Sequence, residues 1–282
     1  MKGYKLGRKA TSGIMLVLLT ISIVSLTFNI QPAKAEWTGT VYIRADGSID
    51  PSDAPITTHD NVTYTLTGNI TSSGDGIVVE RDNIIIDGAG YTLEGTGEYP
   101  YKGVYLAGRS NVTIKNTTIT TFYCGISLYY SSNYNSIVGN NITANNQYGI
   151  WLYRSSSNNI SGNTFTKNGL LVEDSYQNSV ENNTVNGKPL VYLEDVANYS
   201  VGDAGQVILV NCTGIRVENL NLSHTSIGVQ LWKTNNTIIS GNNITANNWH
   251  GVRLSHSSNN TISGNTIANN NDDGIRLLDS SN

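Results

Sequence analysis

Sulfur is scarce in this chain of 282 residues: the two methionines are Met1 and Met15, and the two cysteines, Cys124 and Cys212, stand far apart. Two distant thiols cannot make a disulfide framework, and they read as small buried apolar residues. With no methionine beyond position 15, a soft copper site has few ligands to draw on. Charge is also low, at 13% of residues. Five of the 17 basic residues, Lys2, Lys5, Arg8, Lys9 and Lys34, lie in the first 35 positions, where no acid stands, leaving 12 basic against 21 acidic groups beyond. A net charge of −9 there excludes binding to duplex nucleic acid by charge. No apolar pattern of period 3.6 runs long enough for a helix.

What is abundant is asparagine, 37 residues, together with 28 glycines. Before these begin, Lys2, Lys5, Arg8 and Lys9 precede an uncharged run from Ile14 to Ile30, and Ala33-Lys34-Ala35 closes the stretch. The three parts predict a secretory signal peptide over 1–35, cut before Glu36. The alternative is an uncleaved anchor. Either way the rest of the chain is expected outside the cytoplasm, meeting a membrane only through this segment.

The main signal is a repeat. GIWLYRSSSNNISGNTFTKN from Gly149, GVQLWKTNNTIISGNNITANNWH from Gly228 and GVRLSHSSNNTISGNTIANNNDD from Gly251 are variants of one unit. Its glycine recurs at Gly103, Gly125, Gly149, Gly169, Gly228, Gly251 and Gly274, 20 to 24 residues apart where units are contiguous. Within a unit apolar residues alternate in three short bursts, the period of strands. Stacking the units puts Ile126, Ile150, Val229, Val252 and Ile275 in one column, Leu128, Leu152, Leu231, Leu254 and Leu277 in a second, and Ile160, Ile239 and Ile262 in a third. One such coil cannot bury its own inner face, but coils about 4.8 Å apart share backbone hydrogen bonds and a continuous core. The expectation is an all-β, single-stranded parallel β-helix of roughly nine rungs.

Asparagine follows the same register. Asn140, Asn163, Asn183, Asn242 and Asn265 form one column, and Asn145, Asn168, Asn247 and Asn270 another, read as ladders of stacked amides. Thirteen Asn-x-Ser/Thr sequons occur. The ladder residues fall outside them, while Asn141, Asn182 and Asn243 beside them are acceptors that should point out. Asn116 aligns with the inward column and is also a sequon.

Residues 36–75 read as a leader and N-terminal cap, and 76–282 as the helix proper, with an excursion as hairpin or loop at about 187–205. The chain stops where the next strand of its unit should begin. The last rung is therefore expected to be incomplete, its edge open to further rungs or to a capping partner.

These units resemble the NosD-like family of right-handed parallel β-helix repeats, which includes periplasmic copper-maturation proteins and many archaeal and bacterial surface proteins. The run from Asn186 to Leu231 is similar to an interrupted rung of its archaeal surface members. The resemblance covers about 76–282 and implies the fold firmly. It implies function weakly, because such helices serve as sugar-acting enzymes, adhesins and stalks.

Copper maturation is the role implied by the family name alone, and His59, His224, His250 and His256 are the only histidines to support it. No metal or cofactor is expected. The residues themselves point first to a structural or glycan-binding module: Trp151 lies in one outward column, Tyr129, Tyr153 and Trp232 in another, as amphipathic rings suited to sugar faces. The alternative is a polysaccharide lyase, hydrolase or epimerase. Its candidate residues are Arg253 and Arg276, stacked in one outward column, with His250 and Asp273 in the next and Asp272 and His256 nearby. No nucleophile stands out.

Overall fold

The computed structural model describes residues 37–281, so the segment read as a signal peptide lies outside the described residues. The described residues are strand and turn throughout, wound into a parallel β-solenoid of about nine turns. None of them forms a helix long and apolar enough to cross a membrane.

Each turn contributes three strands because its apolar residues alternate. In Val112–Lys115 the residues Val112 and Ile114 are buried while Thr113 and Lys115 are half-buried. The next turn repeats this in register, Thr113 opposite Ser136, Ile114 opposite Ile137. Ile126 pairs with Ile150 and Leu128 with Leu152, and all four are fully buried. Each such side chain contributes about 1.5–3 kcal/mol of burial.

The recurring glycine has a steric cause. A Cβ on Gly103 would lie 2.6 Å from the Gly125 carbonyl oxygen, one on Gly125 2.5 Å from that of Gly149, and one on Gly251 2.6 Å from that of Gly274. The column exists because backbones approach there too closely for any side chain.

At the corners the amides stack. Asn163 Oδ1 accepts both the backbone N–H and the side-chain amide of Asn140, at 2.9 and 3.0 Å. Asn183 does the same for Asn163, and Asn265 for Asn242. Each amide also donates backwards, Asn163 Nδ2 to Ile137 O at 2.8 Å. The Asn145–Asn168 and Asn247–Asn270 pairs repeat the pattern. A third ladder, Asn135–Asn158–Asn178, joins them. The residue before each first-ladder asparagine is left-handed, with φ of 65° at Gly139, 64° at Gly162 and 56° at Asn182, which glycine and asparagine tolerate best. This places Asn116 (φ 54°) level with Gly139, exposed, and gives its inward position to Thr117, whose N–H bonds Asn140 Oδ1. The alignment of Asn116 with the inward column is thus corrected by one residue.

The boundaries also differ from expectation. Within the segment read as leader and cap, Val41–Ile43, Thr63–Leu66 and Ile70–Thr71 already pair in parallel with the following turn, so coiling begins well before Gly76. Near residue 187 the chain turns back through Asn186 and Gly187, with φ of 52° and 80°. The strand it returns, Lys188–Glu194, does not leave the stack. It pairs antiparallel with Thr184–Val185 behind it and parallel with Gln206–Val210 ahead.

That hairpin divides the solenoid. The sheet holding Cys124–Tyr129 and Tyr148–Tyr153 ends at Leu170–Glu173, whereas the sheet that runs from Trp37–Thr38 to Thr184–Val185 continues through the hairpin into Lys188–Glu194 and on through Gln206–Val210, Val229–Trp232 and Val252–Ser255 to Ile275–Leu278. The expected single columns are therefore two sets. Gln206–Val210 is buried on both faces: Ile208 and Val210 pack into the first core, Val207 and Leu209 into the second.

Candidate binding site

On the outside of the first sheet, the alternation that buries Leu106, Leu128 and Leu152 turns Tyr105, Tyr129, Trp151 and Tyr153 outward. Tyr129 and Tyr153, adjacent in register, stack with centroids 5.1 Å apart and planes at 25°. Trp151 lies 5.7 Å from Tyr129 and 5.6 Å from Tyr153. A second file, Tyr99, Tyr123 and Tyr148, meets edge to face at 4.9 and 6.0 Å. Between the files lies a cleft of about 350 Å³ lined by Tyr99, Pro100, Lys102, Tyr105, Tyr123, Tyr129, Tyr148 and Trp151. Lys102 is the only charged residue lining it, its ammonium 4.6 Å from the Tyr105 ring centre. Burial holds the Tyr148 hydroxyl well above its usual range, so this ring is a neutral wall.

Next to the cleft is the seam between the two coils. The free edge of Leu170–Glu173 has no strand beside it; side chains of the second coil satisfy it instead. Gln206 accepts from Leu170 N–H at 2.9 Å and donates to its carbonyl at 2.7 Å. Gln230 treats Val172 likewise. Ser226 accepts from Gly169 N–H, and Thr225 donates to Asn168 O. Arg253 ends the row on Glu173, which also accepts from Trp151 Nε1 at 2.8 Å.

Beyond Arg253 the chain of contacts reaches Trp249 and then His250, whose rings stack 4.0 Å apart. The His250 side chain is 2% exposed, with Nδ1 3.9 Å from Asp272 Oδ2 and 3.9 Å from Asp273 Oδ2. Burial pulls its pKa down to about 4, outweighing both carboxylates, so the imidazole is neutral at pH 7. Arg276 pairs with Asp273 at 3.2 Å.

The pattern of right-handed β-helix regions matches residues 56–185 and 92–213, more than half of the chain. The chain belongs to the right-handed β-helix family. Within this β-helix, residues 194–282 further match the pattern described as periplasmic copper-binding protein (NosD). No curated protein matches the β-helix at a significant level. Among solved structures it is similar to the periplasmic alginate epimerase AlgG, at 13% identity over 80% of each chain with a TM-score of 0.38. PfbA, a surface adhesin of Streptococcus pneumoniae, aligns at 14% identity over 75% of this chain and 62% of its own, with a TM-score of 0.33. The catalytic domain of a GH87 α-1,3-glucanase aligns at 12% identity over 86% and 59%, with a TM-score of 0.32.

Cu(I), one form of the copper that the NosD description implies, does not fit the donors present. Cu(I) takes thiolate and thioether ligands. The matched segment has no methionine, and the Cys212 thiol is buried and donates to the Leu193 and Val210 carbonyls. Burial raises its pKa, further disfavouring thiolate. The one group of three ligand-bearing side chains among the described residues is His250, Asp272 and Asp273, with no sulfur.

Of the residues singled out in the sequence, the β-helix brings Tyr129, Tyr153 and Trp151 together but not Trp232. That ring is 3% exposed, packed 4.2 Å from Tyr176, and only an edge reaches a smaller pocket of about 180 Å³ shared with Tyr153 and Arg253. Arg253 and Arg276 do align on neighbouring strands, and His250 and Asp273 are neighbours. The Arg253 column is nevertheless not a solvated face: Gln230 and Arg253 are 1% and 7% exposed, closed in by the first coil. His256 instead faces Asp279 at 3.5 Å, both exposed. Sequence reasoning missed Tyr99, Lys102, Tyr105, Tyr123, Tyr148 and Glu173. Tyr105 was within reach, since the register that pairs Ala107 with Tyr129 also sets Tyr105 in line with Trp151.

Proposed function

We propose that this β-helix is an extracytoplasmic module that binds glycans in the aromatic cleft of its first sheet. The observation carrying this reading is the lining itself: six aromatic rings and one lysine, on strands and adjoining turns fixed by the rungs beneath them. Flat apolar faces with wet polar rims suit sugar rings. The cleft lining contains no carboxylate or imidazole, and burial raises the hydroxyls of Tyr105, Tyr123, Tyr129 and Tyr148 above their usual range, away from a base poised near pH 7, which favours holding over cutting. The location is supported by the tripartite N-terminus and by the periplasmic character of NosD.

The second reading is an enzyme acting on polysaccharide at Arg253, Arg276, His250 and Asp273. It is weaker because Arg253 is already paired with Glu173 and His250 is almost wholly buried.

The test is a panel of neutral and acidic polysaccharides, scored together for binding and for new reducing or unsaturated ends. Binding without new ends, reduced tenfold or more in Trp151→Ala and Tyr105→Ala with unchanged thermal unfolding, is the expected result. New ends that disappear in Asp273→Asn would replace this reading with the enzymatic one. Silence in both channels would leave a stalk.

A further inference from the structure

We propose that His250, Asp272 and Asp273 form a binding site for a divalent cation of the zinc class. The three residues belong to turns of adjacent rungs, clamped by backbone bonds from Asp272 N–H to Trp249 O and from Gly251 N–H to Asp273 O, both 3.0 Å. His250 Nδ1 accepts the Asp273 N–H at 3.3 Å, which makes that nitrogen the unprotonated one. That lone pair is held by the Asp273 amide, so a cation binds by taking its place; all three ligand atoms lie within 4.8 Å of one another. Two carboxylates beside an unprotonated imidazole, with Arg276 as a nearby counter-charge, concentrate negative charge that a cation at their centre would neutralise.

The dimensions agree. Zinc bonds of about 2.0–2.2 Å set tetrahedral ligand atoms about 3.4 Å apart, so the two 3.9 Å separations from Nδ1 must close by about 0.5 Å, and the two carboxylates, within 4.8 Å of each other, close by rotation of exposed side chains. The supporting contacts are in place. The buried imidazole is held flat against Trp249, and Trp249 Nε1 donates to Asp272 Oδ2 at 3.0 Å. Asp272 and Asp273 are 56% and 38% exposed, leaving a solvent side for a fourth ligand. One nitrogen and two oxygens without sulfur select zinc over Cu(I), and three donors including an imidazole are too few and too soft for calcium. Arg276, half exposed on Asp273, is the competitor that the cation displaces.

The experiment is calorimetric titration of the untagged protein with zinc chloride and, separately, calcium chloride, with Trp fluorescence as a second readout of Trp249. One equivalent of zinc per chain is expected, with affinity lowered at least tenfold in both Asp272→Asn and Asp273→Asn, and raised in Arg276→Ala. These exposed positions spare the fold, whereas His250→Ala removes a packed ring. No zinc binding, zinc binding indifferent to both asparagine variants, or calcium binding of equal strength would each overturn the assignment.

Discussion

Arg253 Nη2 lies 2.5 Å from Glu173 Oε1, an ion pair between the second coil and the last strand of the first. Both side chains are mostly buried, at 9% and 17% exposure. The pair closes a row in which Gln206 and Gln230 imitate a neighbouring strand along the Leu170–Glu173 edge. The coil break is thereby sealed without an exposed edge, the usual liability of a terminated sheet.

Removing one partner strands a charge in that seam. Arg253→Met or Glu173→Leu alone should lower stability by about 3–5 kcal/mol, and the double variant by clearly less than the sum. A chemical-denaturation double-mutant cycle measures this. Strictly additive losses would mean the pair is not coupled.

The glycine column makes a sharper steric prediction. Gly125→Ala sets a Cβ against the Gly149 carbonyl, whereas a Cβ on Gly202 meets nothing within 4 Å. Gly125→Ala should lower the melting temperature by several degrees, an effect of about 2 kcal/mol or more. Gly202→Ala should leave it unchanged, and equal shifts in the two would discredit the close-approach explanation.

Ladder asparagines should behave unlike their neighbours. Asn163→Ala removes the acceptor for the Asn140 backbone and amide N–H groups, both buried, at a cost of about 1–3 kcal/mol for each group left unpaired. Exposed Asn141→Ala should stay within about 0.5 kcal/mol. Urea unfolding of the two variants side by side decides the matter.

His250 should make stability depend on pH. Its folded pKa is held at about 4, mainly by burial, against an ordinary 6.5. Between those values the unfolded chain binds the proton and the folded one does not, so stability is complete above about pH 6.5 and falls as pH drops toward 4. In His250→Gln the slope of unfolding free energy across this window should flatten. An unchanged slope would locate the acid sensitivity elsewhere.

Much of this was legible in the chain itself. The spacing of Gly125, Gly149, Gly251 and Gly274, the Ile and Leu columns and the Asn140–Asn163–Asn183 register all follow from a solenoid in which each rung touches only its neighbours. A periodic sequence then writes its own contacts. Even the Asn186-Gly187 turn, with its two positive φ angles, carried a recognised hairpin signal.

Alternation along a strand says which side chains face outward; it does not say whether anything packs on them. Gln206, Gln230 and Arg253 carry an outward pattern, yet the coil break presses that face against the first stack and turns a solvated column into a seam. Trp232 is buried for the same reason. The repeat already set His250 against Asp273 and placed Tyr123 and Tyr148 on successive rungs; how the turns lie over one another then brought Tyr99 and Trp151 to the tyrosines and the Trp249 ring onto His250. Sequence determined the coil, because its contacts are local and repeated. Tertiary structure decided the seam, because it joins residues of two coils that no period relates.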